Sequence, residues 1–194
     1  MGHAGAAAAA VRHLRGQQAG PPPRPALRCV REDERAPVGE GEFRRVLGTF
    51  ATGVTVITAP SADADPRPAG FACQSFSALS LDPPLVAFMV NRTSTTWPRI
   101  ARAGVFCVNV LAADQAALCR TFAVSGADKF AGVSHTPAPV SGAPRLTGTL
   151  AWIDCAIHTV HPGGDHLIVV GRVTALTPDT PDRAPLLFHR GHFT

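Results

Sequence analysis

The chain has 194 residues, a length typical of one domain that can bury a sizeable core. Hydrophobic residues make up 45% and charged residues 16%, and no apolar run approaches the roughly 18 residues of a membrane span, which excludes a disordered polyelectrolyte and a membrane protein. The net charge of +4 resides mostly in residues 1–39, with six arginines against three acidic residues, and the remainder lacks the basic cluster of a nucleic-acid binder.

Residues 1–39 are rich in Ala, Arg, Pro and Gly and show no apolar period. They are predicted to be a disordered extension, and residues 40–194 the folded domain. A start at Val30 or Val38 from a non-standard initiator codon is the alternative, which the intact mass of the native protein would test.

Regular patterns begin at Glu42, where an apolar face at helical spacing predicts a short helix containing Phe43, Val46, Leu47 and Phe50. The later predicted helices span 93–102 and 114–124, and the predicted strands span 54–58, 70 onwards, 85–90, 105–111, 146–160 and 166–176. Turn residues at 162–165 predict a hairpin between the last two strands. Because no regular β-α-β alternation is present, the pattern favours an antiparallel barrel.

The strand that begins at 146 alternates in polarity. One face, expected in the core, carries Ala151, Ile153, Cys155 and Ile157. The other face, expected to be hydrated or paired, carries Trp152, Asp154 and His158.

Several common catalytic motifs are missing from the sequence: GxSxG, GxxxxGK[ST], HExxH and a GxGxxG that opens a helix. The five cysteines form no CxxC pair, which indicates reduced thiols in a cytoplasmic protein. Three histidines, His158, His161 and His166, flank a glycine turn without a completing carboxylate or cysteine, so no metal site is predicted.

Four segments carry residues that suit ligand binding: 70–77, small and hydrogen-bonding; 91–97, hydroxyls and an arginine before a helix; 128–130, with the only lysine; and 164–166, a turn with a histidine. Each also has an explanation that needs no ligand. Segment 70–77 suits an edge strand and segment 91–97 suits helix capping. The single lysine in 128–130 can occur by chance, and segment 164–166 suits a surface turn.

Taken in order, these segments resemble the short-chain flavin reductases that serve two-component flavin-dependent monooxygenases. The resemblance runs from about Phe43 to Thr194 and rests on FRxVL at 43, TGVTVIT at 52, GFACQSF at 70, SLDPPLV at 80, FCVNVL at 106, DKFAG at 128, GDH at 164 and PLLF at 185. These sequence motifs most resemble those of the actinobacterial reductase that feeds a phenol-type hydroxylase in steroid-ring degradation. Natural-product reductases are an alternative.

The resemblance implies a mainly β fold, an antiparallel six-stranded Greek-key split barrel with short peripheral helices that binds flavin. It also implies a homodimer that transfers a hydride from NADH or NADPH to FMN or FAD and supplies reduced flavin to a partner monooxygenase. Family members often carry Tyr near the carboxyl end, whereas this chain has no Tyr and offers His189 and Phe193 there.

Residue by residue, the resemblance places His166 near the nicotinamide, as the catalytic candidate. It assigns flavin binding to three groups: a wall of Pro68, Ala69, Gly70, Phe71, Ala72, Cys73, Gln74 and Ser75; its continuation in Met89, Val90 and Asn91; and phosphate or ring-edge contacts from Arg92, Ser94, Thr95, Thr96, Lys129 and Phe130. Two other functions stay open: a non-catalytic flavin carrier, and an oxidase that acts on its own organic substrate.

Overall fold

The computed structural model describes residues 38–61, 67–126, 128–178 and 182–194. All but the last two residues of the predicted extension lie outside this set, so its predicted disorder stays a prediction. From Glu40 onward the chain forms one compact unit.

Three helices and twelve strands make up the described part of the chain. The helices are α1 (Glu40–Leu47), α2 (Trp97–Ala103) and α3 (Ala116–Ala123), with a 3-10 turn at Ala113–Gln115. The strands are β1 (Thr52–Gly53), β2 (Thr55–Ala59), β3 (Ala69–Cys73), β4 (Ser77–Leu81), β5 (Pro84–Asn91), β6 (Val105–Val110), β7 (His135–Pro137), β8 (Pro144–Leu146), β9 (Ala151–Gly163), β10 (His166–Pro178), β11 (Leu187–His189) and β12 (His192–Phe193). None of the described helices could cross a membrane.

The main sheet is antiparallel, in the strand order β3-β2-β6-β9-β10-β5-β4. Its edge strands β3 and β4 are consecutive in the chain, and the three residues that connect them span roughly 14 Å at most, so the sheet must curl until its edges meet. The Ser75 hydroxyl holds this junction to β5, accepting from the Met89 N–H at 2.9 Å and donating to the Met89 carbonyl at 3.0 Å. The predicted antiparallel barrel is confirmed, with a main sheet of seven strands.

An aromatic cluster fills the barrel interior. The Phe88 ring meets Phe106 edge to face at 5.2 Å between centroids and Trp97 of α2 at 6.2 Å. Gly171 on β10 makes room for this cluster, because a Cβ there would lie 2.3 Å from the Phe106 ring. Burial of such large side chains is the main favourable contribution to the stability of the barrel.

A second apolar cluster lies between β2 and α3. Phe122 and Cys119 of α3 are buried there with Val54 and Val56. Gly70 allows β3 to approach α3, since a Cβ at this position would lie 2.8 Å from the Phe122 ring. The packing of α3 therefore fixes the position of the start of β3.

A buried amide ties β8 to the barrel. The Asn109 Nδ2 donates to the carbonyls of Val56 and Pro144, and its Oδ1 accepts from the Leu146 N–H at 2.8 Å. A buried polar group with all its partners present rigidifies the surrounding structure.

The prediction of one strand over 146–160 is wrong. β8 ends at Leu146 and β9 begins at Ala151, and between them Gly148 has a φ of +77°, a left-handed conformation that favours glycine. The face predicted to be hydrated or paired is buried at Trp152 and Asp154, whose carboxylate accepts from two backbone N–H groups, Val140 and Ser141.

Helix α1 forms where the apolar spacing predicts it, but it buries none of its residues. Phe43 and Leu47 are each 54% exposed, and Phe50, just beyond the helix, is 75% exposed. The predicted helix over 93–102 begins only at Trp97, with residues 93–96 in turns before it.

Candidate active site

A cleft of about 760 Å³, here called the main cleft, opens between the ends of β3 and β5. The turn before α2, the end of α3 and the β11–β12 hairpin complete it. Its lining residues are Val54, Phe71, Ala72, Cys73, Gln74, Ser75, Met89, Val90, Asn91, Thr93, Ser94, Thr95, Thr96, Cys119, Phe122, Ala123, Ser125, Lys129, His166, Phe188 and Phe193.

The wall made by the end of β3 is largely apolar and rigid. Cys73 is buried, and its Sγ lies 3.3 Å from the Ser75 hydroxyl, which is itself fixed to β5. Burial raises the pKa of the Cys73 thiol, and hydrogen bonds with Ser75 and Thr55 offset this only in part. Cys73 is therefore a neutral thiol at neutral pH, a packing group and not a nucleophile.

The turn between β5 and α2 carries a row of hydroxyl groups. The Asn91 Oδ1 accepts from the Thr93 N–H at 2.8 Å and from the Thr93 hydroxyl at 2.6 Å. The Ser94 hydroxyl accepts from the Trp97 N–H at 3.2 Å, in the first turn of α2. These bonds hold the backbone so that Thr95 and Thr96 line the cleft.

A smaller cleft of about 240 Å³, the side cleft, adjoins the main cleft and shares Thr95, Thr96 and Lys129 with it. Its other lining residues are Arg67, Pro68, Gly70, Arg99, Gly126, Asp128 and Phe130.

Two cations, Lys129 and Arg99, line the side cleft together with the carboxylate of Asp128, and Lys129 also lines the main cleft. The Lys129 Nζ donates to the carbonyls of Gly70 and Phe122, each at 3.1 Å, while the Arg99 Nη2 donates to the Arg67 carbonyl at 2.6 Å. Partial burial lowers the pKa of Lys129, and the nearby charge of Arg99 lowers it further. Repulsion between two like charges is relieved by a bound anion, which makes the side cleft suited to a phosphate group.

His166, the first residue of β10, also lines the main cleft. Its Nδ1 lies 2.8 Å from the Asp165 Oδ1, and the hydrogen bond and charge of His166 lower the pKa of that carboxyl. Arg92 holds the turn, since its Nε donates to the Gly164 carbonyl and its backbone N–H to the Asp165 carbonyl. With Nδ1 engaged, Nε2 is the ring nitrogen that can meet a ligand.

The carboxyl-terminal hairpin closes the cleft with two aromatic rings. Phe188 and Phe193 pack at 5.3 Å between centroids, and the Arg120 guanidinium lies 5.3 Å from the centre of the Phe193 ring. His189 pairs with His192 in the hairpin and is not among the lining residues. Of His189 and Phe193, the two residues near the carboxyl end named in the sequence analysis, Phe193 is therefore the one at the cleft.

The structure brings most of the predicted site residues together. Phe71 to Ser75, Met89 to Asn91, Ser94 to Thr96, Lys129 and His166 line the main cleft, and Pro68, Gly70 and Phe130 line the side cleft. Ala69 does not join them, because its side chain is buried in the barrel interior. Arg92 does not line either cleft and instead holds the turn before His166.

Sequence reasoning missed the contributions of α3 and of two arginines, Arg67 and Arg99. The apolar spacing in α3 indicated only a core-facing helix, although Cys119 and Phe122 also line the cleft. For Arg99 the available signal was its place one turn into a helix that follows a row of hydroxyl residues.

Together the clefts offer a largely apolar wall, cationic and hydroxyl side chains among the residues they share, and an imidazole. This arrangement suits a ligand with a ring system and a phosphate-bearing tail.

Comparison with known proteins gives a consistent result. The pattern of the family described as "Flavin reductase like domain" matches residues 47–194. The reductase subunit HsaB of a flavin-dependent monooxygenase from Rhodococcus jostii (strain RHA1) is 53% identical over 152 residues, which cover 78% of this chain and 75% of that protein. A flavin reductase from Pseudomonas putida is 48% identical over 151 residues, which cover 78% of this chain and 86% of the relative.

Among solved structures, the NADH:FAD oxidoreductase of Streptomyces globisporus C-1027, in complex with NAD and FAD fragments, superposes with a TM-score of 0.74. It is 38% identical in sequence, and the match covers 79% of this chain and 90% of that one. Sequence and structure agree, and the chain belongs to the flavin reductase-like family.

Proposed function

We propose that the main and side clefts together form the flavin site of this reductase, with the nicotinamide of NADH or NADPH beside His166. The chain is an NAD(P)H:flavin oxidoreductase that supplies reduced flavin to a two-component monooxygenase. The observation that carries the placement is the continuity of the two clefts through Thr95, Thr96 and Lys129, which joins a largely apolar wall to a side cleft lined by Arg67, Arg99 and Lys129.

The end of β3, from Phe71 to Ser75, and the end of β5, from Met89 to Asn91, would hold the isoalloxazine ring and ribityl chain, largely through their backbone groups. Thr95 and Thr96 would offer hydroxyl groups to the phosphate, and Lys129 and Arg99 would offer positive charge.

When bound, flavin supplies the two-electron redox chemistry, and the protein supplies binding, orientation and electrostatics. Among the described residues that line the main cleft, His166 is the only imidazole and there is no carboxylate, which agrees with this division of labour. His166 orients the nicotinamide, and the Phe188 and Phe193 rings exclude water from the ring-stacking region. Rings held at roughly 3–3.5 Å are in a reactive arrangement.

Several finer features belong to the proposal. The Streptomyces globisporus relative is named for NADH and FAD, which favours this pair over NADPH and FMN. The partner is an oxygenase of aromatic or steroid degradation or of natural-product biosynthesis. Exposed apolar side chains on β4, Leu79 at 55% and Leu81 at 95%, support a homodimer, and free thiols at the four described cysteines support a cytoplasmic location.

The test is oxidation of NADH or NADPH by the purified chain with FMN, FAD or no added flavin. We expect turnover that depends on flavin, and a His166→Ala variant whose KM for the dinucleotide rises while its flavin affinity is unchanged. His161→Ala is the matched control, since His161 lies in the same hairpin and contacts Thr159 of its own strand.

Flavin binding without dinucleotide oxidation would contradict the reductase function and indicate a flavin carrier of the same fold. A dinucleotide KM that is the same in His166→Ala as in the unmodified chain would remove His166 from the nicotinamide site.

A further inference from the structure

Two more clefts continue from the main cleft toward α1. The first, the α1 cleft, is about 270 Å³ in volume and shares Gln74 and Phe188 with the main cleft. The second, the arginine cleft, is about 580 Å³ and shares Arg44 and Gly48 with the α1 cleft. A continuous path of shared wall residues therefore leads from the main cleft to the end of α1.

The arginine cleft is built by the end of α1 and the turn between β11 and β12. Its lining residues are Arg44, Arg45, Gly48, Thr49, Arg190 and Gly191, so among the described residues it has three guanidinium groups and no carboxylate in its lining. The Arg190 backbone N–H donates to the Gly48 carbonyl at 2.9 Å, which fixes the hairpin turn against the helix. Arg190 has a φ of +49° in this turn.

The acidic groups near this cleft are few and exposed. Arg44 lies 3.6 Å from Glu40, and Arg45 lies 4.0 Å from Glu42, on a helix surface where such pairs contribute little. The pyrophosphate of a dinucleotide, with one negative charge on each of its two phosphates, competes well against them, because guanidinium groups bind phosphate oxygens in a bidentate manner.

Arg44 acts electrostatically on the carboxylate beside His166. The charge of Arg44 contributes to the lowered pKa of Asp165, after the larger effects of His166. Asp165 is the residue that hydrogen bonds His166 at the start of β10.

The α1 cleft, which lies between the main cleft and the arginine cleft, has an apolar and exposed wall. Phe43, Leu47 and Phe50 line the α1 cleft, and each is more than half exposed. Exposed aromatic and aliphatic side chains at the edge of a substrate cleft provide contact area for a sugar or a purine ring.

We propose that the arginine cleft binds the phosphate groups of the adenosine half of the nicotinamide dinucleotide, with the sugar or adenine against the α1 cleft. The inference rests on the proposed function, because it takes His166 as the position of the nicotinamide. It assigns Arg44, Arg45 and Arg190 to dinucleotide recognition, a role separate from flavin binding at Lys129 and Arg99.

The test measures binding without turnover. ADP-ribose and its 2′-phosphate derivative lack the nicotinamide and are titrated calorimetrically into the full chain. The double variant Arg44→Gln, Arg190→Asn is compared with the unmodified chain; Asn is chosen at 190 because it tolerates a positive φ. The control is Arg172→Gln, an exposed arginine on β10 that lines none of the four clefts.

We expect the double variant to bind both probes about tenfold more weakly or worse, as loss of charge-assisted hydrogen bonds implies, with the larger loss for the 2′-phosphate derivative. Its KM for the dinucleotide rises in parallel, whereas kcat, flavin affinity and thermal unfolding stay as in the Arg172→Gln control. Equal probe affinity in the double variant and the control would overturn the inference.

The result also separates this inference from the proposed function. If the unmodified chain oxidises NADH and the double variant binds the probes normally, the reductase stands and the arginine cleft does not bind dinucleotide. If the probes bind in an arginine-dependent manner but no dinucleotide is oxidised, the arginine cleft stands and the reductase function fails.

Discussion

Helices α1 and α3 are each eight residues long and each amphipathic, but they differ in what their apolar faces contact. In α3, Cys119 and Phe122 are buried against β2 and β3, and Gly70 provides the space. In α1 no residue is buried. The same sequence pattern thus produces a helix that stabilises the barrel and a helix whose apolar face stays open beside the substrate clefts.

The difference arises from where each helix lies relative to the sheet. α3 covers the β2–β3 face and at the same time forms one wall of the main cleft. α1 lies at the rim, where Phe43 and Leu47 line only the α1 cleft. Stability should therefore depend on α3, and dinucleotide binding on α1.

The largest expected effect is on the free energy of unfolding. Phe122→Ala removes a fully buried ring and should lower this free energy by about 3–5 kcal/mol. Phe43→Ala removes a ring that is 54% exposed and should change it by no more than about 0.5 kcal/mol. Urea unfolding of both variants is the measurement, and equal losses would show that α1 is packed in solution as tightly as α3.

A second expected effect concerns Lys129, whose Nζ donates to the carbonyl of Phe122 in α3 and to that of Gly70 in β3. Lys129→Met should weaken flavin binding about tenfold, because it removes a charge from the proposed phosphate site. Fluorescence titration with FMN measures this. The same substitution at an α1 cation, Arg45→Met, should leave flavin affinity unchanged; a loss there would place the flavin phosphate near α1 instead.

The pH dependence of flavin affinity sharpens the same assignment. The pKa of Lys129 is lowered mainly by burial, so its positive charge is lost at a lower pH than for an ordinary lysine. Flavin affinity should fall as the pH rises toward that lowered value, and Lys129→Met should abolish this part of the profile. A profile that is identical in the variant would contradict a charged Lys129 at the phosphate.

The elements of the fold that the sequence predicts are those whose pattern lies within one short segment of the chain. The hairpin of β9 and β10 follows from turn residues between two apolar runs, and the position of α1 follows from helical spacing. The exposure of α1 could not be predicted, because burial depends on distant strands. The continuous strand over 146–160 was a wrong prediction because the turn at Gly148 interrupts a run that looks uniform.

In the candidate site, too, residues within one sequence segment could be predicted, and residues brought in by long-range packing could not. Residues in consecutive runs, such as Phe71 to Ser75, were predicted to bind flavin from the resemblance to the flavin reductases, which the segment at 70–77 helps to carry. Arg99 and the α3 residues reach the clefts through long-range packing of α2 and α3 on the barrel, which no local pattern encodes. The short strands β11 and β12, which bring two phenylalanines to the cleft, have too few residues to show an alternating pattern.

The smallest expected effect is a change in the pKa of Asp165. It distinguishes Arg44 of α1 from Arg120 of α3. Asp165 has a pKa below its ordinary value because of His166 and, to a lesser degree, Arg44. This carboxylate therefore stabilises the fold above its ordinary pKa, and the contribution is lost as the pH falls through the lowered value. In an NMR titration, the pKa of Asp165 should rise most in His166→Ala, less in Arg44→Gln and not in Arg120→Gln. A rise in Arg120→Gln equal to that in Arg44→Gln would contradict a specific effect of Arg44 on Asp165.

The most direct test of the central claim, that one cleft holds flavin and nicotinamide together for direct transfer, is an anaerobic rapid-mixing experiment. The chain loaded with FAD is mixed with NADH or with NADH deuterated at the transferred position, and the visible flavin absorbance is followed. We predict that the flavin absorbance is lost in one phase, which is slower with the deuterated substrate. The His166→Ala substitution should slow the same phase. Bound flavin that keeps its absorbance after mixing with NADH would contradict it.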